Sequence, residues 1–185
     1  FSDLGNSRVR PFFSRRIGGV GTNPVPILGG LKLSGKINQD WKIGVLDVQT
    51  EGVADVDDSQ NYLVATAQRR VLKGSYIGGF ITNRQAFIDY KIKPEDYNTV
   101  GGLMFNFQSD DSKWTGDVHA HYSMTEERLG QAYAIGGKAR YRSSIYTIFL
   151  GVDAIGENHI TDMGYIPRLY HTDENGNQIR IGYVQ

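Results

Sequence analysis

Apolar and polar residues alternate with a period of two along most of the second half of the chain, the signature of strands whose two faces meet different surroundings. Leu103, Phe105 and Phe107 oppose Met104, Asn106 and Gln108. The next run sets Trp114, Gly116, Val118, Ala120 and Tyr122 against Thr115, Asp117, His119, His121 and Ser123 without a break. Tyr133, Ile135, Gly137, Ala139 and Tyr141 then oppose Ala134, Gly136, Lys138 and Arg140. In the return strand Tyr146, Ile148, Leu150, Val152 and Ala154 face away from Thr147, Gly151 and Asp153. The first half is less regular. Ile27, Gly29, Leu31 and Leu33 oppose Gly30, Lys32 and Ser34, but Trp41, Ile43 and Val45 run into Asp47 on one parity while Leu46 and Val48 take the other. That break calls for a bulge near Val45 or an inward Trp41. Tyr62 to Arg70 and Tyr76 to Asn83 also read as strands, with the facing from 41 to 83 left open.

The connections alternate short and long. Tight ends fall near Ile37 to Asp40, Leu72 to Ser75, Ser109 to Lys113 and Tyr141 to Ser143, and wide polar ends span Glu51 to Gln60, Arg84 to Asn98 and Met124 to Gly130. Outer-membrane barrels are built this way, with short periplasmic turns and longer extracellular loops. Trp114, Tyr122, Tyr133, Tyr141 and Tyr146 fall at strand ends, where such barrels carry aromatic girdles. A soluble lipocalin-type barrel also alternates, with its apolar face inside. Asp117, His119, His121, Lys138, Arg140 and Asp153 make a polar face better suited to a hydrated lumen. The fold expected is therefore all-β, an antiparallel transmembrane β-barrel.

Eight strands can be counted between 25 and 155, with a further strand near Ile179 to Val184 after an Asn175-Gly176 turn signal. Together with the irregular stretch from Phe1 to Pro24, this predicts that residues 1–185 are an internal portion of one larger barrel domain. Such a portion would not close by itself.

Composition narrows the reading further. The chain holds 23 Gly, 11 Tyr and 8 Phe, a balance that favours strands, and no window keeps helical periodicity. Lys+Arg and Asp+Glu are equal at 20 each, so no basic field exists to recruit nucleic acid. With no Cys, disulfides and thiolate metal sites are excluded. No apolar stretch approaches the ~20 residues of a transmembrane helix, which leaves a strand-built barrel open. Phe1-Ser2-Asp3-Leu4 has neither a charged n-region nor an apolar h-region, so any signal peptide is expected to lie upstream of it.

Particular segments carry a family resemblance. Phe12-Phe13-Ser14-Arg15-Arg16-Ile17-Gly18, the run from Pro26 to Lys36, Trp41-Lys42-Ile43-Gly44-Val45-Leu46-Asp47, Asn61-Tyr62-Leu63-Val64 and Gln68-Arg69-Arg70 occur in that order. They resemble the barrel part of an uncharacterised family of large Gram-negative outer-membrane proteins, commonly of the Bacteroidota. In that family a domain of unknown function follows an N-terminal domain similar to carbohydrate-binding module family 9. The match is densest from Phe12 to Arg84 and extends more loosely to Arg168. The resemblance implies a multi-stranded outer-membrane barrel and no reaction, and it assigns Arg15, Arg16, Asp47 and Arg70 no role beyond membership.

Several clusters bear on chemistry. His119 and His121, with Asp117 and Ser123, share one strand face, so a His-x-His metal site or a Ser/His/Asp arrangement is conceivable. A metal would need a third ligand from another strand, and polar lumen lining is the plainer reading. Asp55, Asp57 and Asp58 could hold a divalent cation or form a solvated loop. Asp173 to Asn177 lacks the spacing and terminal Glu of a calcium loop and reads as a turn. Arg15 and Arg16 could meet membrane phosphate or cross-link interior carboxylates. Gly18-Gly19-Val20-Gly21 precedes Asn23-Pro24 and no helix, so it reads as a loop and not as a phosphate cradle. No catalytic, metal or cofactor-binding residue is assigned, and no bound cofactor is expected. The expected role is passage, anchoring or assembly at the bacterial cell surface. Expected contacts are outer-membrane lipid, lipopolysaccharide and other outer-membrane or periplasmic proteins. The rival readings are a barrel-embedded hydrolase or glycan-processing enzyme centred on Asp117, His119 and His121, and a soluble β-barrel binding an apolar ligand.

Overall fold

A computed structural model describes residues 9–20, 23–126 and 130–166, together with short strands at 170–172, 178–180 and 183–184. The protein is all-β. Eight antiparallel strands follow one another as a meander: β3 (Ile27–Lys36), β4 (Trp41–Thr50), β5 (Ser59–Arg70), β6 (Tyr76–Ile88), β7 (Lys91–Gln108), β8 (Trp114–Met124), β9 (Tyr133–Arg142) and β10 (Thr147–Ile155). A two-residue hairpin, β1 (Gly19–Val20) with β2 (Asn23–Pro24), precedes them. Beyond them β11 (Tyr170–Thr172) pairs with β12 (Gln178–Arg180), while β13 (Tyr183–Val184) adds to β10 at Ile155 and Ala154. The single strand expected over Ile179 to Val184 is thus split between two partners. Asp173 to Asn177, with the Asn175-Gly176 signal, lies outside the described residues. The sheet is not closed among the described residues: β3 pairs only with β4, and β10 is unpaired on its far side from Thr147 to Asp153.

The tight ends form where local side chains can satisfy the turn. Asn38 Oδ1 accepts from the amides of Asp40 (2.9 Å) and Trp41 (2.8 Å), closing the β3–β4 turn. Between β7 and β8 the Ser109 hydroxyl bonds Asp111 and accepts from Trp114. That hydroxyl, helped by the Lys113 amide, holds the Asp111 carboxyl below its ordinary range. Two sequence expectations change. The last tight turn runs over Ser143–Tyr146, because the Ser143 hydroxyl accepts from the Ile145 and Tyr146 amides and Tyr141 and Arg142 stay in β9. The wide end expected from Arg84 to Asn98 is mostly strand, since β6 and β7 continue to a hairpin tip at Asp89 and Tyr90. Both tip residues have positive φ (48° and 62°), the backbone a tight hairpin turn requires. A bulge between Gln85 and Phe87 is tied down by the Gln85 amide, which donates to Lys93 O (2.7 Å) and Asp96 O (3.3 Å).

The two faces of the sheet differ as the alternation predicts, and the facing of 41–83 is now set. Trp41, Ile43, Val45, Leu63, Ala65, Ile77 and Ile81 share the outer parity, while Val48, Tyr62, Val64, Phe80 and Thr82 are buried on the inner one. Neither resolution offered for the Trp41 to Asp47 run holds. Register with β5 is unbroken from Trp41 to Gln49, and Trp41 points outward. Asp47 remains on the outer face because Asn61 Nδ2 bonds both its carboxylate (3.2 Å) and Gln49 Oε1 (3.3 Å), so the outer face itself turns polar toward the loop end.

Two non-strand segments cover the inner face at the loop end. Residues 9–18 and 156–166 are joined by Arg10–Tyr165 backbone bonds of 3.0 and 2.7 Å and by Thr161 Oγ1 donating to Pro11 O (3.0 Å). Phe12 and Met163 pack on Val48, Tyr62, Val64, Phe80, Val100 and Met104, while Val9 and Ile166 pack on Ala134 and Ile155. The interior expected to be polar is therefore mixed. β4 to β7 offer an apolar patch that this inner layer fills, and the polar residues concentrate on β8 to β10.

Candidate functional site

The inner face of β8 brings Asp117, His119, His121 and Ser123 into one column, as their spacing predicts, and neighbouring elements add three groups. Lys138 and Asp153 come from β9 and β10, and His159 comes from the inner layer. Lys138 Nζ lies 2.9 Å from Asp117 Oδ1. His119 sits between carboxylates, its Nδ1 3.9 Å from Asp117 and its Nε2 3.6 Å from Asp153, both beyond good hydrogen-bond length. Its ring centroid is 4.9 Å from that of His121, whose far side meets the edge of Phe80 at 5.0 Å.

Glycines make this packing possible. A Cβ at Gly102 would lie 2.7 Å from both the His121 and Phe80 rings, so β7 passes beneath them only without a side chain. A Cβ at Gly136 would collide with Asp153 Oδ1 and the His119 ring. The histidine layer is buried: His119 and His121 are 5% and 3% exposed, and among the described residues neither ring nitrogen of either has a hydrogen-bond partner.

Ser123 does not complete a nucleophile. Its hydroxyl donates to Ala132 O (3.4 Å) and accepts from the Ile160 amide (3.0 Å), so it fastens the inner layer. His159 Nδ1, 3.0 Å from Ala132 O, does similar work. Among the described residues no group of three His, Asp or Glu side chains is arranged to hold a metal ion. Among the described residues no base is oriented toward the Ser123 hydroxyl, and the contacts of this column are ones of packing and orientation. His121→Phe tests this. It should leave stability unchanged or raise it by up to ~1 kcal/mol in urea unfolding, because it removes two unpaired polar atoms from a buried site. A loss above ~2 kcal/mol would mean that the imidazole nitrogens hold a partner of their own.

The other candidates are also placed. Asp58 pairs with Lys93 (2.9 Å) and Asp57 accepts from Gln60 Nε2 (3.0 Å), so two of the three acidic loop residues already have partners. Arg15 and Arg16 lie in an exposed 3-10 turn, Ser14–Arg16, where Arg16 Nε donates to Gly164 O (3.2 Å). Among the described residues neither pairs with a carboxylate. Gly19 and Val20 lie in the small β1–β2 hairpin. The sequence missed His159 and the Arg84 junction. Arg84 bonds Asp162 (2.8 Å), Asp96 (2.7 Å) and Gln60 (2.9 Å), and so locks the inner layer to β5, β6 and β7. Both contacts join residues far apart in sequence, and the inner layer has no periodicity that would reveal which wall it meets.

No family model, no curated protein and no solved structure matches the chain.

Proposed function

We propose that this chain is a sector of a transmembrane β-barrel in the Gram-negative outer membrane, where it serves passage, anchoring or assembly at the cell surface. The observation that carries this reading is an outer face left apolar and bare over β6 to β10 while polar groups are buried on the inner face of β8 to β10. Histidines and carboxylates are buried on the inner face, while Leu103 (65% exposed), Val118 (52%), Ile135 (52%) and Leu150 (68%) stand bare on the outer one. The outer positions of β6 from 77 to 81, β7 from 101 to 107, β8 from 114 to 122, β9 from 133 to 141 and β10 from 148 to 154 hold no Asp, Glu, Lys or Arg. A sheet facing water on its outside would place its charges there instead.

The aromatic edge of this apolar face supports the same reading. Trp41 on β4, Phe107 on β7, Trp114 on β8, Tyr141 on β9 and Tyr146 after β9 lie toward the short turns, with Trp114, Tyr141 and Tyr146 rings in contact. Cross-strand register runs from Trp41 through Arg69, Ile77 and Phe105 to Val118, four residues along β8 from Trp114. With Trp41 and Trp114 placed at one depth, as a shared aromatic girdle requires, four residues over four strand steps correspond to a tilt of about 35°, using ~3.3 Å per residue and ~4.8 Å per strand. That lies within the range of membrane barrels. At this tilt the distance from Trp114 to Tyr122 spans about 22 Å of depth, against an apolar band of about 25 Å.

Within this reading outer-membrane lipid and lipopolysaccharide meet the outer face. Further strands cover the free edges of β3 and β10, because each unpaired backbone group in hydrocarbon costs several kcal/mol. The resemblance to the Bacteroidota-type barrel family belongs to the same proposal and rests on the segments from Phe12 to Arg84. A soluble barrel with an apolar ligand would need the apolar face inside. No reaction is assigned.

The two tryptophans, Trp41 and Trp114, give a direct test. In vesicles of brominated lipid, their emission should be quenched more by bromines near the headgroups than by bromines at the bilayer centre. A chain that stays monodisperse in plain buffer, with emission indifferent to vesicles, would end the proposal.

A further inference from the structure

A second feature of the inner face lies near the short turns of β3 to β6, apart from the histidine layer. Lys36 and Lys42 are direct cross-strand partners there, and Gln68 lies opposite Lys42 on the next strand. Arg70, the next inward residue of β5, is the diagonal neighbour of Lys42, and Lys73 follows in the turn. Like charges set directly opposite each other destabilise a sheet, and diagonal neighbours at roughly 7–8 Å remain within reach of long side chains. The four cations are solvent-exposed and line one open cleft of about 260 Å³, whose single carboxylate among the described residues is Asp40. None of the four makes an ion pair with a described carboxylate. By contrast Arg84, Lys93, Lys113 and Lys138 all do. The arrangement leaves a repulsion within the protein that a bound anion would relieve.

We infer that this cavity binds a small polyanion bearing phosphoryl groups. The planar Arg70 fork suits two oxygens of one phosphate, and the lysines supply point charges around it. At about 260 Å³ the cavity falls below the range of drug-sized pockets, so a compact anion fits better than a large organic ligand. The inference does not rest on the membrane reading, because binding to a dissolved anion can be measured whether or not the outer face meets lipid.

The test is calorimetric titration of the full chain with inorganic pyrophosphate at low salt. Saturable binding is expected, weakened roughly tenfold or more in Lys42→Gln and in Arg70→Gln, and unchanged in Lys91→Gln at the opposite end of the sheet. Thermal unfolding guards against misfolded variants. Without anion, Lys42→Gln should melt no lower than the wild type, since it removes a repulsion, whereas pyrophosphate should raise the Tm of the wild type and of Lys91→Gln more than that of Lys42→Gln or Arg70→Gln. A second arm uses phosphatidylcholine vesicles with and without phosphatidylglycerol. Retention that requires the anionic lipid and is lost in Lys42→Gln and Arg70→Gln would assign the phosphate to a lipid headgroup. A wild type that binds neither probe, or binding that survives both substitutions, would overturn the inference.

Discussion

Val118→Arg is expected to destabilise the bilayer-inserted protein by about 2–4 kcal/mol, while Asn106→Arg at a similar depth should cost less than ~1 kcal/mol. Val118 is central on the bare outer face, paired with Phe105 on β7 and Gly137 on β9. Under the proposed membrane orientation, an arginine there has no described carboxylate to meet and must carry its charge into lipid. Asn106 is one residue from Phe105 but faces inward, directly opposite Asp117, so the same charge finds a counter-ion. Urea unfolding from lipid vesicles measures both. Equal losses would mean that the two faces see the same medium, and the proposed orientation would be wrong.

Arg84→Met should lower stability by about 2–3 kcal/mol and loosen the inner layer before the sheet. Removing one partner of a fully buried ion pair costs roughly 3–5 kcal/mol, because the charge left behind is desolvated and unpaired. Here Asp96 and Asp162 are about one-third exposed, which reduces the cost. The inner layer keeps its other ties: the Asp162 amide to Asn98 Oδ1 (3.0 Å), Asn98 Nδ2 to Ile160 O (3.2 Å) and the Ile160 amide to Ser123 Oγ (3.0 Å). Hydrogen exchange at the Ile160 and Asp162 amides should therefore quicken well before exchange in β5 to β7. Arg84→Lys, which keeps charge but loses the fork, should fall between the two. Unchanged exchange at those amides in Arg84→Met would show that the junction does not hold the layer.

The strand run from Leu103 to Ala154 was legible in the sequence because a strand's side chains alternate strictly. Once one face is apolar and the other charged, the pattern fixes strand and parity together. The same alternation put Asp117, His119, His121 and Ser123 in one column before any coordinate did. It could not say which face would be buried, since a soluble and a membrane sheet alternate alike. Only the tertiary structure decided that, by laying residues 9–18 and 156–166 against the face that carries Val64, Phe80, Val100 and Ala134 as well as the histidines. It failed from Trp41 to Gln49 because there the outer face changes character along a single strand. Asp47 is tolerated outward by a side-chain bond from Asn61 on β5, a contact no local pattern encodes. The wide loop expected over 84–98 became a hairpin for a similar reason: pairing along β6 and β7, capped by positive-φ residues at Asp89 and Tyr90, outweighs a local sequence rich in polar residues. His159, Asp153 and Arg84 acquire their partners only when distant segments meet, so their roles are properties of the folded chain. The sequence thus determined the strands and the two chemistries of their faces, because backbone geometry makes those local, whereas which face is covered, and by what, came from packing between segments up to some 150 residues apart.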